Sequence, residues 1–231
     1  VISLGVTVMF NQWMSFQSDL IDQFPLILDG LWHTLMLAGV VSITGLLGGM
    51  LLLYMKISRR KWLIRSVDGY ISFFVGTPLI VLLFVVYYGL PNYGVHLSSF
   101  AVAVLGFTLN VSAYNASYLY SAWLGLDEAE LRAARAQGFT DLQVYWHIVL
   151  PQVFSRSTPS LTNQVIANLK DSSYAFLIGF IDFFSRIQEV ASTNFQFFHA
   201  YLFAALSYIA MVSVIVLSAR QLEKRGIPSR G

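Results

Sequence analysis

Not one cysteine occurs in the 231 residues. That absence excludes a disulfide framework, a thiolate metal site and a cysteine nucleophile. Charge is the second scarcity: Asp, Glu, Lys and Arg together make up 11% of the chain, against about 25% in an average soluble domain. A chain this poor in charge cannot cover a globular surface with it. The net charge is only +2, which by itself says little, and no nucleic-acid partner is expected. No G-x-x-x-x-G-K-[ST] phosphate loop occurs, so the chain has no means of its own to hydrolyse ATP. The histidines (His33, His96, His147 and His199) stand at no ligand spacing, and no metal site is expected.

What is abundant is apolar surface: 56% of residues are hydrophobic and 15% aromatic, with a mean hydropathy of +0.64. A helix needs about 20 mainly apolar residues to cross a bilayer. Five stretches qualify as candidate spans: about Leu26 to Tyr54, Val67 to Leu90, Ser98 to Leu124, Pro159 to Phe183 and Phe197 to Leu217. The expected fold is an all-α integral membrane protein. Residues 1–23, only moderately apolar, are expected to form an interfacial or irregular lead-in to a single transmembrane domain over 24–226, with 227–231 as a cytoplasmic tail.

Basic residues orient such a chain, because cytoplasmic loops collect Lys and Arg. Lys56, Arg59, Arg60, Lys61 and Arg65 fill the first loop, Arg132, Arg135 and Arg156 lie in the middle one, and Arg220, Lys224, Arg225 and Arg230 follow the last span. With five spans these groups share one side, and the other side offers only Arg186. The N-terminus is then outside and the C-terminus inside.

The longest polar interruption, "EAELRAARAQGFTDLQVYWHIVLPQ" from Glu128 to Gln152, falls between spans three and four and is therefore cytoplasmic. Asp127 with Glu130 reads as a capping pair. Leu131 to Gln137 consists of good helix formers, and Gly138 suits the left-handed position that ends a helix. Thr140 with Gln143 opens a second short helix, which Pro151 should stop or kink. Two short helices joined at a glycine make a compact knob on the membrane surface. Ala133, Ala134 and Ala136 keep one of its sides thin enough for another protein's groove. The plainer reading is a solvated loop that merely connects two spans.

At these residues the chain resembles ABC importer permeases. Their cytoplasmic loop signature is Glu-Ala-Ala, three residues, Gly, nine residues, Ile, one residue, Leu-Pro. Here Ala133-Ala134, Gly138, Ile148, Leu150 and Pro151 stand at that spacing. "GTPLIVLLFVVYYGLP" (Gly76 to Pro91), "PSLTNQVIANLKDSSYAFLIG" (Pro159 to Gly179) and "SYIAMVSVIVLSARQLEKR" resemble the polar amino-acid uptake subfamily. The likeness covers about residues 24–226. It implies that the loop, about 127–151, docks into a groove on an ATP-binding subunit. The coupling positions carried over are Ala133, Ala134, Gly138, Ile148, Leu150 and Pro151, with Glu128 beside them. One departure stands out: Arg132 occupies the position of the signature's glutamate. The resemblance further implies a multi-pass protein of a prokaryotic cytoplasmic membrane. Its partners would be two ATP-binding subunits that hold ATP and Mg, a second permease chain (identical or related) and an extracytoplasmic substrate-binding protein.

The fourth stretch is odd for lipid, and Pro159 suits its first helical position, with Ser157 and Thr158 before it as candidate caps. On a helix, Ser160, Asn163, Gln164, Asn168 and Asp171 gather on one side with Lys170 at the edge. Polar residues at membrane depth face protein or a water-filled cavity. Lys170 and Asp171 are adjacent, so their side chains diverge; bonding to neighbouring helices is the plainer reading of both. In the third stretch Asn110, Tyr114, Ser117 and Ser121 share a helical face, where small polar groups often serve only as packing glue. Together the two faces are candidates for a translocation path. The rivals to an ATP-driven importer are an ion-coupled secondary transporter or channel, which would show internal repeats with broken helices, and an intramembrane hydrolase, which needs a nucleophile with a base in reach. Neither pattern is visible.

Overall fold

The computed structural model describes residues 13–58 and 60–226, side chains of 194 and 222–226 excepted. Most of the expected lead-in, Arg59 and the 227–231 tail lie outside the described residues. A short helix α1 over residues 13–22 precedes α2 (Phe24–Lys56), α3 (Lys61–Gly76), α4 (Leu79–Gly89) and α5 (Ser99–Trp123). Then come α6 (Glu128–Ala136), α7 (Asp141–Val144), α8 (Leu150–Asp171), α9 (Phe183–Asn194) and α10 (Phe197–Gly226). The described part of the lead-in is thus helical, and it seats Phe16 among Ile187, Val190 and Ala200 of α9 and α10. Three helices among the described residues are long and apolar enough to cross a bilayer: α2, α5 and the first 25 residues of α10.

The second expected span is not one straight helix. α3 and α4 meet at a 99° bend. Thr77 and Pro78 are both extended there (φ −94°, ψ 125° and φ −57°, ψ 131°), because proline pushes the residue before it out of the helical region. Proline also has no N–H for the carbonyl four residues back. That carbonyl belongs to Phe74, and Asn110 of α5 fills the vacancy, its Nδ2 donating to Phe74 O at 2.8 Å.

The fourth expected span differs more. α8 begins at Leu150, well before Pro159, and Pro159 lies inside it rather than opening it. Ser157 and Thr158 are not caps; their hydroxyls donate back to Val153 O and Phe154 O at 2.7 and 2.8 Å, a geometry that helps a helix bend around proline. α8 ends where Ser172 and Ser173 donate to Leu169 O and Lys170 O. A 3₁₀ segment, Ser172–Ile178, follows and closes at Gly179 with φ +80°. Pro151 does not stop the preceding helix either. A π turn over Tyr145–Val149 carries α7 straight into α8, and proline is tolerated in the first turn of a helix, where its missing N–H is no loss.

At the centre of the fold α2 lies along α5, the most extensive helix pair in the chain. Gly45 and Gly49 of α2, four residues apart, face Val111, Asn115 and Ala116 of α5; small residues at this spacing let membrane helices approach closely. The Thr44 and Thr108 hydroxyls meet across the pair at 2.6 Å. A Cβ at Gly49 would lie 2.6 Å from Asn115 Cβ and 3.1 Å from Ala116 N, whereas one at Gly39 would meet nothing within 4 Å. Gly49→Ala is therefore expected to cost about 1–3 kcal/mol of stability by overpacking. Gly39→Ala should be neutral or slightly stabilising, since alanine is the better helix former by about 1 kcal/mol. Thermal unfolding of both variants in detergent checks this; equal midpoints would show that α2 and α5 do not touch here.

Candidate functional site

The polar stretch folds into two short helices with a glycine elbow. Asp127 opens α6, its Oδ1 accepting the Ala129 N–H at 2.8 Å. Glu130 does not complete a reciprocal cap; its Oε2 accepts from Gln152 Nε2 at 2.9 Å, which ties α6 to the start of α8. At the elbow Gly138 has φ +91°. Its N–H bonds Arg135 O at 3.0 Å and the Phe139 N–H bonds Ala134 O at 3.2 Å, the crossed pair that terminates a helix at a left-handed residue. Thr140 and Gln143 then cap α7 reciprocally: Thr140 Oγ1 accepts the Gln143 N–H and Gln143 Oε1 accepts the Thr140 N–H. An ion pair, Arg135 Nε to Asp141 Oδ1 at 3.1 Å, spans the elbow.

The knob has an inner and an outer side. Inward, Leu131, Ala134, Val144, Tyr145, Val149 and Leu150 pack with Leu53 of α2 and Leu119 of α5. The Tyr145 hydroxyl donates to Met50 O of α2 at 2.5 Å. Burial pushes that phenol up, so it remains a donor throughout the neutral range. Arg156 Nη1 donates to Gly125 O, closing the loop that leads into α6. Outward, Ala133, Ala136, Gly138 and Pro151 are exposed. So are Phe139, Leu142 and Trp146, at 39%, 52% and 53%. Glu128 and Arg132 lie beside this face, their side chains exposed and 3.8 Å apart.

The signature positions therefore divide. Ala134 and Leu150 belong to the inner core and Ile148 is half-buried, while Glu128, Arg132, Ala133, Gly138 and Pro151 look outward. The sequence reading missed Phe139, Leu142 and Trp146; the four-residue step from Leu142 to Trp146, one face of a helical turn, was the available signal. Exposed apolar patches rimmed by polar residues serve as protein, membrane or ligand contacts.

The residues proposed for a path fall into separate places. Asn110 is buried on the Phe74 carbonyl. Gln164 Nε2 donates to Asn168 Oδ1, and Asn168 Nδ2 to Ser42 Oγ of α2, both at 2.9 Å; this chain pins α8 to α2. The Ser117 hydroxyl bonds back to Ala113 O, and Tyr114 is half-buried, ring to ring with Tyr118. Asn163 and Lys170 are exposed and Asp171 is half-buried. Lys170 stands at a cavity of about 410 Å³ with Ser173, Phe184, Tyr201 and Tyr208. A second polar group went unforeseen, where α9 meets the start of α2. Arg186 pairs with Glu189 at 3.0 Å and with Asp29 at 3.8 Å, while buried Asp182 caps α9 through Ser185. Thr34 Oγ1 accepts the Phe183 N–H at 3.0 Å.

Residues 45–226 match the family described as "Binding-protein-dependent transport system inner membrane component". The chain is 34% identical over 199 residues to the probable amino-acid ABC transporter permease protein PatM of Vibrio harveyi, covering 85% of this chain and 89% of that one. It is 32% identical over 209 residues to the probable glutamine ABC transporter permease protein GlnM of Bacillus subtilis, covering 90% and 96%. Among solved structures, one described as an amino acid ABC transporter with histidines superposes with a TM-score of 0.81 at 30% identity, covering 91% of this chain and 98% of that one. The MetNI methionine ABC transporter shares the fold, with a TM-score of 0.73 at 18% identity, covering 90% and 99%.

Removing the hydroxyl that ties the knob to α2 tests the inner contact. Tyr145→Phe is expected to lower stability by about 1 kcal/mol, the net worth of one hydrogen bond. Hydrogen exchange should then quicken at residues 141–149 and not in α5. Unchanged exchange would mean that apolar packing alone seats the knob.

Proposed function

The chain belongs to the family of binding-protein-dependent transport system inner membrane components, and from that premise we propose that it moves a polar amino acid across a prokaryotic cytoplasmic membrane, driven by a separate ATPase. It is an amino-acid ABC importer permease and not itself an enzyme. The observation that carries the coupling role is the knob: a stiff, doubly capped elbow, bonded on one side to α2 and α5, with an unpartnered apolar face on the other. In the proposed arrangement that face, Ala133, Ala136, Gly138, Phe139, Leu142 and Trp146, seats in the groove of an ATP-binding subunit. ATP and Mg belong to that partner, and this chain binds no cofactor. Two permease chains, identical or related, enclose the path. ATP binding draws their knobs together and turns the cavity outward to an extracytoplasmic binding protein; hydrolysis resets it.

For the path, we assign substrate contact to Lys170, Asn163 and Asp171 ahead of Asn110, Gln164 and Asn168. The first three leave side chains exposed or half-exposed on α8, and the others are occupied by bonds between helices. The five-span topology, with the N-terminus outside and the C-terminus inside, is part of the same proposal. α8 with the 3₁₀ segment makes its fourth crossing, and the bent α3–α4 pair its second.

Two experiments test this. Reporter fusions at Asn92 and Gln188 should report the outside, and fusions at Arg60, Phe139 and Lys224 the inside; a cytoplasmic signal at Asn92 would overturn the topology. Gly138→Val introduces a β-branched residue at φ +91° in open space, so its cost is conformational, about 1–3 kcal/mol. The variant should assemble more weakly with the ATPase, or hydrolyse ATP without transport. Normal assembly, hydrolysis and uptake would remove the elbow from the coupling path.

A further inference from the structure

The ten residues from 56 to 65 hold Lys56, Arg59, Arg60, Lys61 and Arg65, directly after the end of α2. Much of the charge around them is already spent. Lys56 meets Asp68 Oδ1 at 2.5 Å and lies 4.2 Å from the centre of the Tyr120 ring. Arg132 and Arg135 across the way are matched by Glu128 and Asp141. Arg60, Lys61 and Arg65 are exposed, and none of the ion pairs among the described residues includes them. Three unpaired cations thus stand within six residues of sequence, against the single exposed, unpaired Arg220 described at the end of α10.

Arg60, alone of the three, lines a cavity of about 670 Å³ between the end of α2, the start of α3 and the knob, walled also by Tyr54, Leu63, Trp123 and Tyr145 and by the two ion pairs Glu128–Arg132 and Asp141–Arg135. The size falls in the range of roughly 300–1,000 Å³ usual for small-molecule sites. None of Phe139, Leu142 or Trp146 lines it, while Glu128 and Arg132 do, so it adjoins the face assigned to the ATPase without including that face's apolar residues. From Met55 on its wall an apolar stripe climbs α2 at steps of four residues: Leu51, Leu47 and Ile43, 60%, 59% and 63% exposed. Trp62, 61% exposed, stands beside Lys61 at the start of α3.

We infer that the mouth of this cavity holds the headgroup of an anionic phospholipid. The phosphate lies against Arg60, Lys61 and Arg65, the acyl chains run along Leu51, Leu47 and Ile43, and Trp62 rests at headgroup depth, where tryptophan is favoured. Cationic clusters immediately after a transmembrane helix select anionic lipid. The apolar stripe, continuous with the cavity, favours a lipid over a free anion. A lipid bound here would bridge the end of α2 to the inner side of the knob, where Tyr145 and Arg135 share the cavity wall. The inference rests on the proposed orientation only for the leaflet concerned; the binding itself does not need transport.

The test uses the purified chain, in its natural assembly, in phosphatidylcholine nanodiscs with traces of spin-labelled phosphatidylglycerol or spin-labelled phosphatidylcholine. The wild type should immobilise the glycerol lipid in preference, and the preference should shrink as salt is raised. Each charge removed should reduce it about fivefold, so Arg60→Gln with Lys61→Gln and Arg65→Gln should abolish it. Arg60→Lys with Arg65→Lys should keep it, and so should Arg220→Gln on the far helix. Equal immobilisation of the two labels by the wild type overturns the inference, as does a preference that survives the triple variant or high salt. Lipid preference without substrate-stimulated ATP hydrolysis would count against the importer reading and leave the lipid site standing.

Discussion

The close approach of α2 and α5 is the contact on which the other elements depend. Gly45 and Gly49 remove the side chains that would hold the two backbones apart. In hydrocarbon, helices gain nothing from hiding apolar surface, so packing and polar bonds must hold them together. α3, α8, α9 and the knob are then fastened to one member of the pair by named hydrogen bonds. Tyr70 donates to Leu109 O and Asn110 to Phe74 O, joining α3 to α5. Asn168 on Ser42 joins α8 to α2, and Thr34 takes the first N–H of α9. Tyr145 on Met50 fixes the knob. At Gly30, where a Cβ would meet Asp182 O at 2.7 Å, a missing side chain again permits the approach.

A second constraint explains where the chain departs from straight helices. Inside a bilayer every backbone polar group needs an internal partner. Breaks therefore occur where a side chain can supply one. At Pro78 the supplier is Asn110; at the end of α8 it is the paired hydroxyls of Ser172 and Ser173. Much of the polar character at membrane depth is thus committed to backbone repair and helix fastening before any is free for a substrate. Of the polar stripe on α8, this leaves Ser160, Asn163, Lys170 and Asp171 outside such bonds among the described residues, and of these Asn163 and Lys170 are exposed.

How far the sequence could be read follows from the range of each signal. Local patterns were legible: Asp127, Gly138 and the Thr140–Gln143 pair act where spacing and chemistry placed them, because caps and turns are settled within a few residues. Apolar runs located α2, α5 and α10 for the same reason. Proline was misread at Pro151 and Pro159, since whether it ends a helix depends on what satisfies its neighbours, here a π turn and two back-bonding hydroxyls. Partners distant in sequence were not legible at all. Nothing near Asn110 announces Phe74, and nothing near Arg186 announces Asp29. A stripe that shares one face of a helix projection can still divide, as Asn163 and Asn168 do, because the projection does not say which neighbour covers which half.

The knob's two sides give coupling a physical form. A loop that merely connected two spans would be free to yield when pushed, and a displacement imposed on its outer face would be lost in loop motion. Here the elbow is stiffened at Gly138 by two backbone bonds, at Thr140 by a reciprocal cap and across both by Arg135 with Asp141. Its second half runs without interruption through the π turn into α8. In the proposed coupling, a push on Leu142 or Trp146 would be carried into α8, whose far end bears the exposed Lys170. The π turn over Tyr145–Val149 lies in that line, directly before Pro151 in the first turn of α8. In the proposed coupling, docking at Leu142 and Trp146 would therefore act on α8 through this turn, against the bonds by which Tyr145 holds the knob, and Asn168 holds α8, to α2.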